Sequence, residues 1–366
     1  MQMLRRPVVR FLAAVALVGA LGACGENGPS GPFDAAGTTA DVSTVQGMFA
    51  TESFNSFSAA STDIDAVTSG ALSASIGAVQ EGAGAARSPL TDATALARKA
   101  SALLPGGTAS GFSASSGGIP ATALGKTYVY STADGHWVVS DRTGAPTDGV
   151  RFILYAVDPL THQPVTPLSE TGYVDLIDHS GSSSVDVQVV AVSGTTTFID
   201  YRVTASGSTS GGTIRVLGFI SDLTDRADFD FKTSITFNGS TGSITVDYNL
   251  QVPTRDITID FTLHADGFAT TGANGDLSLL MQGPHGRVEM SGDFTSAGGT
   301  LAVKVNGAAF ATVTVDGTFN PTVTGSTGEP LTDQESQAFE RITEVAGNAF
   351  QVINQLLAPA SALITL

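Results

Sequence analysis

The sequence predicts a mainly β protein with flanking helices. Its core is a large antiparallel sheet, strongly curved or folded into two layers, whose apolar face is covered by a long C-terminal helix and by N-terminal helices. Three observations predict it. From Lys126 onward apolar residues alternate with Thr, Asp and Ser; tight-turn dipeptides separate the alternating runs; and helical spacing occurs only toward the two ends of the chain.

The clearest strand is Asp256-Ile257-Thr258-Ile259-Asp260-Phe261-Thr262-Leu263-His264, in which every second residue is apolar. Ile244/Val246/Tyr248/Leu250/Val252 keeps the same rule, as do Phe229/Phe231/Ile235/Phe237, Val185/Val187/Val189 and Leu301/Val303/Val305. Such alternation gives one buried and one wet face, which antiparallel sheets permit and parallel sheets do not. Asp134-Gly135, Asn238-Gly239 and Asn306-Gly307 supply the positive φ that reverses a twisted hairpin, and Pro253-Thr254 fits another reversal. Roughly fourteen strands fit between 126 and 316, whereas an open twisted sheet rarely exceeds about ten. The sheet must then curl, close or divide, and the Gly/Ser stretch 206–212 is the expected place for a division or a long hairpin loop.

Before the β domain, taken as 126–330, residues 42–104 are rich in Ala and Ser. They carry three weak helical stripes: Val42/Val45/Phe49, Ile64/Val67/Leu72/Ile76/Val79 and Leu90/Leu96/Ala100/Leu103. Their Gly and Ser content makes these helices dependent on packing. Residues 105–125 read as a Gly/Ser/Pro linker. After the β domain, Thr332-Asp333-Gln334-Glu335 is a capping box, and Phe339, Ile342, Val345, Phe350, Ile353 and Leu357 mark one face up to Pro359. This predicts an amphipathic helix over 331–358, roughly 38 Å long, enough to cross about eight strands.

The N-terminus has the parts of an export signal over residues 1–23. Arg5, Arg6 and Arg10 precede an apolar run from Phe11 to Leu21 that is shorter than the roughly 20 residues a spanning helix needs. The run ends in Leu21-Gly22-Ala23-Cys24, and Cys24 is the sole cysteine. This string resembles the lipobox of bacterial lipoproteins. The resemblance implies that signal peptidase recognises Leu21, Gly22 and Ala23 and that Cys24 carries a covalent diacylglycerol. It also implies further acylation of the new amine by a fatty acid such as palmitate. An ordinary signal peptide with an incidental cysteine is the alternative.

Two or three acyl chains hold a protein firmly where one does not. Residues 24–41 then form the lipidated tether, with the membrane as partner. In proteobacterial lipoproteins Asp after the cysteine marks inner-membrane retention, and Gly25 stands there, so the outer membrane is favoured. With Cys24 lipidated, no disulfide can form. The body resembles the envelope lipoproteins of Gram-negative bacteria. In layout alone, a curved sheet enclosing helices is similar to periplasmic lipoprotein carriers and related lipid-binding folds.

Loss of the leader removes three of the 17 bases and leaves 14 against 34 acids, a balance of −20. That disfavours nucleic acid, whose phosphates require clustered Lys and Arg. The chain offers little catalytic chemistry. Gly125-Lys126-Thr127 echoes a phosphate loop, but the motif's first glycine would fall on Pro120 and a strand-like segment follows. His136, His162, His179, His264 and His285 are scattered, and no Gly-x-Ser-x-Gly elbow occurs. Asp256 and Asp260 share a strand face as an acid/base pair might, although Thr/Asp patterning of a wet face explains them equally. Asp222, Asp225, Asp228 and Asp230 are the densest acidic group. They are weak candidates for Ca²⁺, since Asp228 and Asp230 alternate with Phe229 and Phe231.

Neither a metal nor a cofactor is expected beyond the lipid on Cys24. A spanning β-barrel is disfavoured by short strands, few aromatics and the helical C-terminus. The expected function is that of a lipid-anchored cell-envelope protein, non-enzymatic, structural or interacting with envelope proteins. The second reading is a carrier or sensor of an apolar ligand held between sheet and helices. A hydrolase of envelope polymers is the third.

Overall fold

The computed structural model describes residues 34–68 and 119–342, apart from 159, 183, 209, 239–240, 268–273, 296, 317–320 and 334. Two helices come first, α1 at Ala35–Met48 and α2 at Glu52–Thr68. Asp34 caps α1, its carboxylate accepting from the Gly37 amide at 2.8 Å, and the Thr51 hydroxyl accepts from the Phe54 amide at 3.2 Å. Each satisfies an N–H that a helix start leaves bare. Helix thus begins inside the segment read as tether, ahead of the expected boundary at 42. The first turn, Ala35-Ala36-Gly37-Thr38, carries no apolar stripe by which periodicity could find it. Val42, Val45, Phe49 and Ile64 of the expected stripes are buried. The rest of the expected helical segment, from 69 to 104, lies outside the described residues. Of the expected linker, 119–125 is a turn packed on the sheet: Ile119 and Ala123 are buried, and the Ile119 amide donates to Asp178 at 2.9 Å.

Among the described residues fifteen strands follow. They are β1 Lys126–Ser131, β2 His136–Ser140, β3 Gly149–Tyr155, β4 Glu170–Asp178, β5 Ser184–Ser193, β6 Thr196–Ser208, β7 Gly211–Ser221 and β8 Arg226–Asn238. Then come β9 Thr241–Val252, β10 Ile257–Asp266, β11 Asn274–Gly283, β12 Gly286–Thr295, β13 Gly298–Val305, β14 Ala308–Asp316 and β15 Pro321–Gly325. All belong to one open sheet, ordered from β15 down to β3 and then β1 and β2. The two-layer alternative is therefore corrected. The stretch 206–212 does not divide the sheet: β6 and β7 pair through it, down to Ser208 opposite Gly211. The sheet is also mixed, because β1 and β3 run parallel.

Register explains the burial. One row runs Val187, Val203, Val216, Phe231, Tyr248, Phe261, Leu279, Met290, Val303 and Ala311, each opposite the next. All ten are buried. One residue along each strand gives the wet row Asp186, Thr204, Arg215, Lys232, Asp247, Thr262, Ser278 and Ser291. A slip of one residue anywhere would exchange the two rows, which is why the register is fixed. Among the described helices, α1 packs on β11 and β12, and α2 on β2, β3 and β4.

Both edges are guarded. On β2 the Trp137 amide, which would otherwise await another strand, donates to Asp63 of α2 at 2.8 Å. β15 is five residues long, starts at Pro321 and ends where Thr324 bridges to Pro330. The Thr332–Glu335 capping box is formed, with the Thr332 amide donating to Glu335 at 2.8 Å and the Glu335 amide to Thr332 Oγ1 at 3.3 Å. Helix is described only from 333 to 342, where Ile342 is buried. A long helix over 331–358 lying across the sheet is thus not a feature of the described fold, because everything beyond 342 lies outside it.

Candidate functional site

The wet face of the central strands carries a groove of about 660 Å³. It is lined by Thr204 and Ser206 on β6, Thr213 and Arg215 on β7, Asp230 and Lys232 on β8, Asp247 and Asn249 on β9, and Asp260 and Thr262 on β10. Alternation places all ten side chains here, since each neighbours a residue of the buried face. Arg215 grips Asp230 with two hydrogen bonds of 2.8 and 2.6 Å, and Asn249 donates to Asp260. Lys232 and Asp247 stand directly opposite each other across β8 and β9. Neither side chain makes a hydrogen bond or ion pair with another described residue, so one ammonium and one carboxylate remain available in the groove. A polar surface of mixed charge can hold a polar partner. It presents no nucleophile joined to a base.

The four calcium candidates do not converge. Asp222 accepts from the Thr224 and Asp225 amides, while Asp225 accepts from Thr254 Oγ1 at 2.7 Å and Arg255 Nε at 2.9 Å. Those bonds hold the Asp225 carboxyl below its ordinary pKa, Arg255 contributing most. Asp228 pairs with Arg226, and Asp230 with Arg215. Among the described residues no three His, Cys, Asp or Glu side chains are placed to hold a metal. Asp256 does not share a strand face with Asp260: it sits at φ +53° in the turn after Pro253–Arg255, and β10 starts at Ile257. Gly125, at φ +73°, leads straight into strand β1, which leaves no phosphate loop there.

The histidines stay apart. His136 meets the Asp134 carbonyl, and His264 lies between Thr245 and Asp266. His162 and His179 are exposed. His285 was not legible as anything but scattered, yet it forms a clasp. Its Nδ1 lies 2.8 Å from Asp41 Oδ1, and its amide donates to Asp41 Oδ2 at 3.3 Å, fixing α1 to the β11–β12 turn. Asp41 raises the His285 pKa above its ordinary value, first by this hydrogen bond and then by its charge, and Asp34 adds to the effect. A raised histidine pKa stabilises the clasp fully below the unfolded value of about 6.5 and loses that contribution as pH rises through the folded value. Amide hydrogen exchange in α1, corrected for intrinsic rates, should therefore quicken between pH 6 and pH 9. His285→Gln should remove the pH dependence; a variant that keeps it would sink this assignment.

Cys24, Leu21, Gly22 and Ala23 lie outside the described residues. No helix among the described residues is long and apolar enough to cross a membrane. No protein-family model, no curated protein and no solved structure matches the chain.

Proposed function

We propose that this chain is a lipid-anchored cell-envelope protein, favoured at the outer membrane, that acts by contact and not by catalysis. The observation that carries the contact role is the registered polar face with its groove, where Lys232 and Asp247 stand uncommitted. The anchor rests on Leu21-Gly22-Ala23-Cys24 behind its basic and apolar leader.

Curvature of the sheet belongs to the same reading. Asp41 holds the β11–β12 turn and Asp63 holds β2, and ten strand spacings separate β11 from β2. A flat sheet would put those anchors about 48 Å apart. Even with α1 and α2 collinear, the path from residue 41 to 63 covers at most about 41 Å, less because the Phe49 and Ala50 amides fold the turn back onto Gln46 and Gly47, and each carboxylate reaches only a few ångström further. A sheet wrapped about the helical pair reconciles the two lengths.

The anchor is tested by fractionation. Cys24→Ala should move the protein from the membrane to the soluble fraction and abolish incorporation of a labelled fatty acid. Wild-type partitioning of the variant would refute the anchor.

One observation favours the carrier reading as the second. On the buried face, the Tyr248 hydroxyl and Thr233 Oγ1 have no hydrogen-bond partner among the described residues, although each residue is only 3% exposed. Burial raises the Tyr248 pKa well above its ordinary value, so the phenol stays protonated and able to donate. An apolar ligand with one hydrogen-bonding group would satisfy it. Native mass spectrometry of protein made without the lipid distinguishes the cases. A co-purifying lipid that Tyr248→Phe loses supports a carrier. A bare mass, with Tyr248→Phe neutral or stabilising by up to about 1 kcal/mol because an unsatisfied hydroxyl is gone, counts against it.

A further inference from the structure

Connectivity brings the loops after β1, β3, β5, β7, β9, β11 and β13 to one rim of the sheet, because β1 and β3 run parallel and every later strand reverses its predecessor. Among the described residues that rim carries three exposed large apolar side chains: Leu160 at 89% exposure and Val165 at 37% in the β3–β4 loop, and Leu223 at 56% in the β7–β8 loop. Described residues at the opposite rim, such as Ser208, Asn238 and Asn274, are polar and exposed. A single exposed leucine needs no explanation, but these two loops are built to project theirs. The Leu160 and Thr161 amides both donate to Asp158 Oδ1, at 2.8 and 3.0 Å. Leu223 is held at φ +74°, a left-handed conformation that glycine or asparagine adopts readily and leucine rarely does. Its amide donates to Ser221 Oγ at 3.0 Å, and Asp222 fastens the following turn. A strained backbone that presents an apolar residue to solvent points to a surface where that residue is used.

The chain enters the fold at the same rim, where the start of α1 lies against His285 of the β11–β12 turn. Nine residues separate Cys24 from Asp34, ten Cα steps with a reach of at most about 36 Å. Were the body inverted, Asp34 would stand about one strand length from the bilayer, roughly 33–44 Å for strands of 10 to 13 residues. Only the lower end of that range falls within a fully stretched tether of about 36 Å.

We propose that this rim rests on the bilayer that holds Cys24, with Leu160, Val165 and Leu223 entering the headgroup layer, an inference that rests on the lipid-anchor reading. Asp134, Asp158, Asp222 and Asp256 lie along the rim, against Arg255 and Arg287, so the matching surface is zwitterionic and not anionic lipid.

Tryptophan quenching tests it. The full lipidated chain is reconstituted into phosphatidylcholine–phosphatidylethanolamine vesicles with brominated acyl chains, and Leu160→Trp, Leu223→Trp and, at the far rim, Ser208→Trp are compared. The native Trp137 is buried and gives a constant background. Each variant is first checked for wild-type circular dichroism. Quenching of the 160 and 223 positions by about twofold, with none at 208, is expected from burial of 5–10 Å into the interface. Vesicle-bound protein with no quenching at 160 and 223, or equal quenching at all three, overturns the rim proposal and leaves the anchor standing. Protein that does not bind the vesicles overturns the anchor and the rim proposal together.

Discussion

Asp175→Ala is expected to lower stability by about 3 kcal/mol, because it leaves a guanidinium largely buried without its counter-charge. Arg151 and Asp175 face each other across β3 and β4 and share two hydrogen bonds of 2.7 Å. Their side chains keep only 20% and 12% of their exposure, and the Arg151 guanidinium also stacks 3.7 Å from the centre of the Tyr173 ring. The pair itself need not add much net stability, since desolvation offsets its attraction. The cost arises when one partner alone is removed. Arg215 and Asp230 make the same two-bond geometry on the wet face at 46% and 37% exposure, so Asp230→Ala should cost less than about 1 kcal/mol. Urea midpoints measure both. Equal losses would show that burial does not set the value of the Arg151–Asp175 pair.

Legibility followed period and separation in sequence. The central strands were readable because wet and buried residues alternate along most of each strand from Val185 to Val315, with breaks at Ala191/Val192 and Phe198/Ile199, and most of the hairpin turns are short. At Asn306-Gly307 both residues take positive φ, 50° and 82°, as their identity foretells. The β1–β2–β3 end was harder. β3 is buried at six of its seven residues, so its near-continuous apolar run hides the alternation and matches a strand covered on both faces, one of whose neighbours is parallel. Contacts distant in sequence left no trace at all. The Asp41–His285 clasp spans 244 positions and the Asp63–Trp137 edge guard 74. The Arg partners of two of the four aspartates, Asp225 and Asp230, were hidden for the same reason. Arg215 reaches Asp230 only because β7 and β8 pair, and Arg255 reaches Asp225 only because the β9–β10 turn lies beside the β7–β8 loop. The groove was visible as ten polar letters on five strands, but its membership depends on register, which composition does not carry.

Glycines give the second large effect, and they separate local propensity from close packing. Gly292→Ala should destabilise by about 2 kcal/mol or more, whereas Gly47→Ala should stabilise by about 0.5–1 kcal/mol. Gly47 lies within α1, and a methyl group added there meets nothing within 4 Å. The change therefore only removes backbone freedom from the unfolded chain and improves helix propensity. Gly292 sits in mid-strand on β12, between Leu277 of β11 and Leu301 of β13 on the apolar face. A Cβ there would overlap the Thr300 carbonyl oxygen and stand 2.8 Å from its carbon and 2.9 Å from the Leu301 Cα. These are backbone atoms of the neighbouring ladder, so they cannot swing aside as a flexible side chain could. Relief requires β12 and β13 to part locally, at the cost of the hydrogen bonds that join them. Thermal melts of the two variants should move in opposite directions. If both rise, the close approach of β12 to β13 is wrong and the glycine is there for another reason.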